Sequence, residues 1–342
     1  MITIDGSTGE GGGQMVRSAV ALSMVTEVPV RIENIRARRK KPGLRPQHMT
    51  AIAAAREVCQ AQVTGASEGS RRLVFEPGDV RPGSYTFDIG TAGSTTLVAQ
   101  TVLPALYMAS GPAQLVIRGG THNPLAPPFD FFARTYNPCL RQMGICVEAR
   151  LLRRGFYPAG GGEIQLDIVP STASAPLELV DRGERLDYSA VAIVANLPEH
   201  IAQRELTQLA SRGGWSQQQL KAEIDNEARG PGNVVLVFIE SDSVCETFAA
   251  FGRRGVPAER VADEVFREAK EYVRSKAAVG QYLADQLLLP MALCGGGKFT
   301  TVPVSSHTTT HIGLIKQFLS VEIEIEQTSR RSRLVSVGRC EG

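Results

Sequence analysis

The sequence predicts an α/β fold built from repeated β-α-β-α-β-β units, with a smaller α/β domain inserted into the last of them. Three observations carry that expectation. A glycine turn followed by an apolar helix occurs near 9–24 and again near 90–108, with helix starts about 80 residues apart and the same element order after each. A polar, Pro- and Ser-rich stretch at 171–185 precedes a segment of different pattern. Beyond that segment, a helix, a glycine turn, a second helix and an alternating strand read as the rest of a third unit.

The elements justify themselves in order. A short apolar strand leads to Gly9 and Gly11-Gly12-Gly13, and the helical pattern of Met15 to Met24 follows. Residues 29–36 alternate as a strand, 46–61 read as a helix, and short strands at 62–65 and 72–76 close the unit. The second unit runs through a strand at 84–90, the turn Gly90-Thr91-Ala92-Gly93, a helix at 94–108, a strand at 114–119, a helix at 127–143, and strands at 145–152 and 162–169. In the inserted segment, 186–196 and the β-branched 233–240 read as strands, and 201–211, 216–228 and 257–277 as helices. The second of those helices opens on a Ser216…Gln219 capping box. A helix at 278–289, a glycine turn at 295–297, a helix at 308–320 and a strand at 321–326 complete the chain. The expected division is therefore 1–184 with 277–342 as a large domain and 185–276 as an insertion.

A chain of 342 residues, 43% hydrophobic and 21% charged, is that of a soluble globular protein of about two domains. It has no run of about 18 apolar residues and no secretory leader pattern, so the expectation is a cytoplasmic protein without a membrane partner. The cysteines at 59, 139, 146, 245, 294 and 340 form no CxxC pair and no metal-finger spacing, which fits reduced thiols. A net charge of +2 does not by itself call for nucleic acid, so local clustering must carry that argument.

Five segments bear chemistry. In Gly9-Glu10-Gly11-Gly12-Gly13-Gln14 a glycine loop enters a helix whose exposed amides suit phosphate, with Glu10 able to hold a cation and Arg17 a turn further on. It is not a Walker A loop, and a tight turn with a capping glutamate is an equal reading. Arg36 to Arg45 holds six Arg or Lys in ten residues, ahead of Gln47 and His48 at a helix start, a density that phosphates would neutralise. In Gly120 to Phe131, prolines and aromatics at a helix start suit either a purine base or a core. Tyr282, Asp285 and Gln286 share part of an otherwise apolar helix, where a metal or a ribose hydroxyl would partner the carboxylate and a plain surface stripe is the alternative.

The fifth segment, Ser305 to Ile312, holds His307 and His311 at a helix start. The positive end of a helix dipole favours neutral imidazole, the form that attacks phosphorus. The two histidines have the spacing of a zinc helix, but Thr308 stands where such a helix has glutamate and no third ligand is evident. A structural histidine is the competing reading.

Together these segments resemble the RNA 3'-terminal phosphate cyclase family. The resemblance runs end to end: Asp5-Gly6…Gly9-Glu10-Gly11-Gly12-Gly13-Gln14…Arg17, Pro42-Gly43-Leu44…Gln47-His48, Gly93-Ser94…Gln100, Asn123-Pro124…Ala126-Pro127, Gly155 to Gly162, Gly230-Pro231-Gly232-Asn233, Tyr282 to Gln286, and His307. It implies three repeated units and an insertion, as read above, and ATP-dependent conversion of an RNA 3'-phosphate to a 2',3'-cyclic phosphate through histidine–AMP and RNA-(3')pp(5')A intermediates.

Carried over by position, the resemblance makes His307 the nucleophile and Glu10 the ligand of a divalent metal, magnesium or manganese. Pro127 and Tyr282 would sandwich adenine, with Phe131 near the sugar. Asp285, Gln286 and Gln100 would contact the nucleotide, and Gln100, Arg17, Arg39, Gln47 and His48 would bind phosphates of ATP or RNA. The family commonly has glycine at the place of Arg38, aspartate at that of His122 and asparagine at that of His311. Two other readings stay open: a silent RNA-processing scaffold, which would lack the nucleophile, and an enolpyruvyl-transferase-like enzyme, which would need no adenylylated histidine. Oligomeric state is not readable from the sequence.

Overall fold

The structure, a computed structural model, describes residues 1–170 and 174–339. The first unit is β1 (Ile2–Asp5), α1 (Gly13–Thr26), β2 (Val30–Glu33), α2 (Pro46–Cys59), β3 (Gln62–Thr64) and β4 (Leu73–Glu76), with sheet order β1-β2-β4-β3. The second is β5 (Gly83–Asp88), α3 (Thr95–Tyr107), β6 (Ala113–Gly119), α4 (Phe129–Phe131), α5 (Asn137–Gln142), β7 (Cys146–Arg153) and β8 (Gly162–Val169), with order β5-β6-β8-β7. A third opens with β9 (Leu177–Leu179) and is interrupted by β10 (Leu186–Ala195), α6 (His200–Gly213), β11 (Leu220–Asp225), β12 (Gly232–Ser241), β13 (Cys245–Phe251) and α7 (Ala258–Ser275). It resumes with α8 (Gln281–Leu293), β14 (Gly297–Thr301), α9 (Ser306–Phe318), β15 (Ile323–Gln327) and β16 (Arg333–Val337), in sheet order β9-β14-β16-β15.

The repeat is therefore one of topology as well as of element order. In each sheet the first two strands run parallel, because a helix crosses between them, and the later pairs are antiparallel. One apolar core spans all three units, and α1 is buried along most of its length within it. The inserted sheet, in order β11-β10-β12-β13, packs one face on α6 and α7. Its other face holds Val234, Leu236 and Phe238, and Phe156 of the second unit enters that cluster. Among the described residues no helix is long and apolar enough to cross a membrane.

Some expectations are corrected. The capping box forms, with Ser216 N–H donating to Gln219 Oε1 at 2.9 Å, but it caps only the single turn Gln217–Gln219. The rest of the expected helix at 216–228 is the edge strand β11, parallel to β10, because ladder pairing outweighs the helix preference of Lys221, Ala222 and Glu223. The polar stretch at 171–185 contains β9, the first strand of the third unit, while 171–173 lie outside the described residues, as does Cys340. Strands β13, β14 and β16 escaped the sequence reading altogether.

The helix expected at 127–143 contains a π-helical turn at Phe132–Tyr136, where Asn137 N–H reaches the carbonyl of Phe132. That turn lies against the inserted sheet: Thr135 and Thr247 hydroxyls are 2.8 Å apart, and the Arg134 guanidinium covers the Phe238 ring at 3.7 Å.

Candidate active site

The site is assembled where the first and third units meet. The loop before α1 turns at Gly9 with φ +59, and a Cβ there would collide with the Thr310 side chain on α9. Glu10 N–H donates to Thr310 Oγ1 at 3.1 Å, which seats the loop on α9. Ser305 caps α9 by accepting Thr308 N–H at 3.2 Å, so His307 falls in the first turn and is exposed. Its Nε2 lies 3.6 Å from Glu10 Oε1, and its Nδ1 lies 3.1 Å from Gln14 Oε1. Glu10 is also in contact with the guanidinium of Arg39, from the cationic run.

Behind His307 stands Asp285. Gln14 Nε2 donates to its two carboxylate oxygens at 2.8 and 2.6 Å. His311 Nδ1 lies 3.0 Å from the Asp285 carbonyl oxygen and 3.3 Å from Oδ1, so this histidine, one turn after His307, is spent on α8. Burial pushes the Asp285 carboxyl up, but hydrogen bonds from His311 and Gln14, with the His311 and His307 charges, outweigh it and hold the group below the ordinary range. Arg17 is lowered to about 10 by burial, against the attraction of Asp285, and stays cationic at neutral pH.

A second cluster joins the second and third units. Gln100 on α3 donates to Gln286 Oε1, and Gln286 Nε2 donates to the Tyr282 carbonyl at 3.0 Å. Four residues earlier on α3, Thr96 donates to the Pro127 carbonyl at 2.8 Å. One face of α3 therefore ties both Pro127 and the helix bearing Tyr282. The Tyr282 side chain is exposed and Pro127 is half-buried. Gln47 sits against Gly93 of the second unit, whose added Cβ would crowd the Gln47 Cβ.

Two candidates are placed differently from expectation. Phe131 is 3% exposed and belongs to the main core, because α4 turns it inward, so its ring offers no face beside the sugar. His48 is 3% exposed. Its Nδ1 accepts Arg45 N–H at 3.0 Å, capping α2, and its Nε2 fills the space a Cβ on Gly13 would need. Burial, then Arg17, Arg36 and Arg45, press its pKa to about 3, so it is a neutral prop beneath the glycine loop rather than a cation facing phosphate.

Local reading missed Gln14 as a site member and weighed His311 only as a possible zinc partner of His307. Gln14 stood in the glycine motif, but its partners lie 271 and 293 residues away. His122 is buried, bonded to Asp130 at 2.7 Å and stacked on Phe156, so it supports the second unit from inside. In the cationic run, Arg36 donates to the carbonyls of Lys41 and Gly43, and Arg45 pairs with Glu68 at 3.0 Å. Lys40 and Lys41 make no ion pair among the described residues.

Among the described residues no three His, Cys, Asp or Glu side chains gather as a metal site. Glu10 alone faces His307 Nε2 as a carboxylate. Magnesium commonly takes one or two carboxylates and completes its shell with phosphate oxygens and water, so this donor set fits a cation that arrives with a triphosphate.

The sequence profile described as RNA 3'-terminal phosphate cyclase matches residues 8–325. Proteins named RNA 3'-terminal phosphate cyclase from Koribacter versatilis (strain Ellin345) and Ectopseudomonas mendocina (strain ymp) are each 49% identical. The first aligns over 98% of this chain and 94% of its own, the second over 96% of both. Among solved structures, the enolpyruvyl transferase NikO from Streptomyces tendae aligns over 99% of this chain and 50% of its own, at 10% identity and a TM-score of 0.36.

Proposed function

The chain belongs to the RNA 3'-terminal phosphate cyclase family, and from that premise we propose that it uses ATP to convert an RNA 3'-phosphate end to a 2',3'-cyclic phosphate through a His307–AMP adduct. The observation that carries the reading is His307 itself: an exposed imidazole in the first turn of α9, facing the glycine loop and Glu10. A phosphate monoester oxygen is a poor leaving group, and an anhydride with AMP makes it a good one. Covalent catalysis divides one hard displacement into easier ones.

In the first step His307 attacks the α-phosphorus and pyrophosphate leaves. AMP then passes to the RNA 3'-phosphate, and the neighbouring 2'-hydroxyl closes the ring and releases AMP. Arg17 and Arg39 neutralise phosphate charge, Gln47 contacts phosphate, and the amides before α1 cradle it. Pro127 and Tyr282 hold the adenine, with Asp285, Gln286 and Gln100 shaping that end of the cleft. Glu10 would hold a divalent cation, magnesium or manganese, which would supply further charge neutralisation to the phosphates. The same reading treats 185–276 as an inserted domain and the rest as the catalytic one, in a cytoplasmic enzyme.

The test uses α-labelled ATP with a divalent cation and an oligoribonucleotide ending in 3'-phosphate. The wild type takes up covalent label and turns the phosphatase-sensitive end resistant, whereas His307→Ala, folded by circular dichroism, does neither. Equal labelling of the two proteins refutes the assignment.

A further inference from the structure

We propose that Gln14 is a positioning residue that sets the tautomer of His307, so that Nε2 carries the lone pair aimed at phosphorus; this rests on the adenylyl-transfer reading. A glutamine amide has one donor end and one acceptor end. Its NH2 end is committed, because Nε2 lies 2.8 and 2.6 Å from the two oxygens of Asp285. A carboxylate accepts and cannot donate, so the reverse orientation would set oxygen against oxygen. The end presented to His307 is therefore Oε1, at 3.1 Å from Nδ1. A carbonyl oxygen only accepts, so Nδ1 holds the proton. In a neutral imidazole the other nitrogen is then bare, and Nε2 is the one turned toward Glu10 and the glycine loop.

The chain Asp285–Gln14–His307 does two things for the reaction. The Nε2 lone pair forms the bond to the α-phosphorus while the bond from phosphorus to pyrophosphate breaks with its electron pair. No proton moves, because the ring keeps its hydrogen on Nδ1. The adduct is cationic at that moment, and the Gln14 carbonyl dipole, itself polarised by the Asp285 carboxylate, faces the new charge. A carboxylate set directly on Nδ1 would favour the protonated, non-nucleophilic ring before attack. The interposed amide orders the proton with a dipole instead of a full charge.

Gln14 is also well placed to be merely a tie between α1 and α8, and the test separates the two roles. Histidine-labelled protein, with His307 assigned by comparison with His307→Ala, is examined by long-range proton–nitrogen correlation at a pH where imidazoles are neutral. The expected wild-type signal is a protonated Nδ1 and a bare Nε2. Gln14→Leu keeps the shape and removes the acceptor. It is expected to mix the tautomers and slow adenylylation on the order of 10²-fold with the ATP KM little changed. The double variant Q14E/D285N reverses the polarity of the first link and sets a carboxylate on Nδ1–H; it should keep the Nδ1 proton but, by favouring the protonated ring, should not restore the rate. A wild-type His307 protonated on Nε2, or a Gln14→Leu protein that adenylylates at the wild-type rate, overturns the proposal. An ordered Nδ1–H tautomer in a protein that never labels at His307 overturns the adenylyl-transfer reading instead.

Discussion

Glu246 on β13 is 2% exposed, and its Oε1 accepts the N–H of Gly280, the residue that caps α8. Burial, partly countered by that bond, pushes its pKa up from 4.5 to about 8. In the unfolded chain the group ionises near its ordinary value, so the native state holds a proton that the denatured state has lost. A raised carboxyl therefore contributes its full stability below 4.5, and that stability falls as pH rises toward about 8. At about 1.4 kcal/mol per pH unit the gap is worth roughly 5 kcal/mol in all, about half of it lost between pH 6 and 9. Glu246→Gln has nearly the shape of the protonated acid, keeps an acceptor for Gly280 N–H and cannot ionise. Urea unfolding at pH 6 and pH 9 measures the effect. The variant should exceed the wild type by about 2 kcal/mol at pH 6 and by about 5 kcal/mol at pH 9, so that the gap between them widens by roughly 2 to 3 kcal/mol. The neighbouring Tyr272, Cys139 and Cys245 are all pushed up by burial, the last to about 11, so they add little in that window. Parallel pH profiles for the two proteins would refute the reasoning, because they would mean Glu246 ionises in the folded protein without cost.

Among the described residues the wholly buried Tyr107 has no partner for its hydroxyl, so Tyr107→Phe should leave the protein as stable or more stable by about 1 kcal/mol in denaturant unfolding. Gly13→Ala would put a Cβ 2.2 Å from His48 Nε2. It should cost about 1 to 3 kcal/mol by strain and slow adenylylation, measured by unfolding and by label uptake. Tyr282→Ala should raise the ATP KM about tenfold or more, whereas Tyr282→Phe, which keeps the ring, should change it little in steady-state kinetics. Replacing Lys40 and Lys41 by alanine should lower the slope of log affinity for RNA against log salt by about 1 per lysine if each meets a phosphate, read from titrations at several salt concentrations.

Much of the fold was legible because its signals are local. Glycine turns before apolar helices and alternating strands marked the first two units, and the third surfaced as a remainder after a change of pattern. What escaped reading was decided by neighbours. Residues 220–225 carry helix-favouring Lys221, Ala222 and Glu223, yet they complete an edge ladder on β10. The strand Leu177–Leu179 is too short to announce itself, and only pairing with β14, more than a hundred residues on, makes it the start of a unit. Within 129–142, nothing in Phe132 to Tyr136 signals a π turn. The contacts of Arg134 and Thr135 with the inserted sheet lie outside any local window.

The site divides along the same line. His307, Glu10, Arg39 and Tyr282 stood out as candidates because each sits in a segment whose local chemistry is unusual: a helix start, a glycine loop, a cationic run, a polar patch on an apolar helix. Their relations were not, and relation decides role. His48 looks like a phosphate ligand until Gly13 is seen to leave no room above it, and Phe131 looks like a sugar platform until α4 turns it inward. Gln14 shows the converse: an undistinguished glutamine in sequence, it joins a carboxylate on α8 to the imidazole on α9 from a third helix. That junction exists only because unlike repeats are packed together. A strictly symmetric set of units would place the same side chain at every interface, whereas here the first unit gives the third Gln14 and the second gives it Gln100. Divergence between the repeats is thus what lets a symmetric scaffold hold one exposed histidine in one orientation.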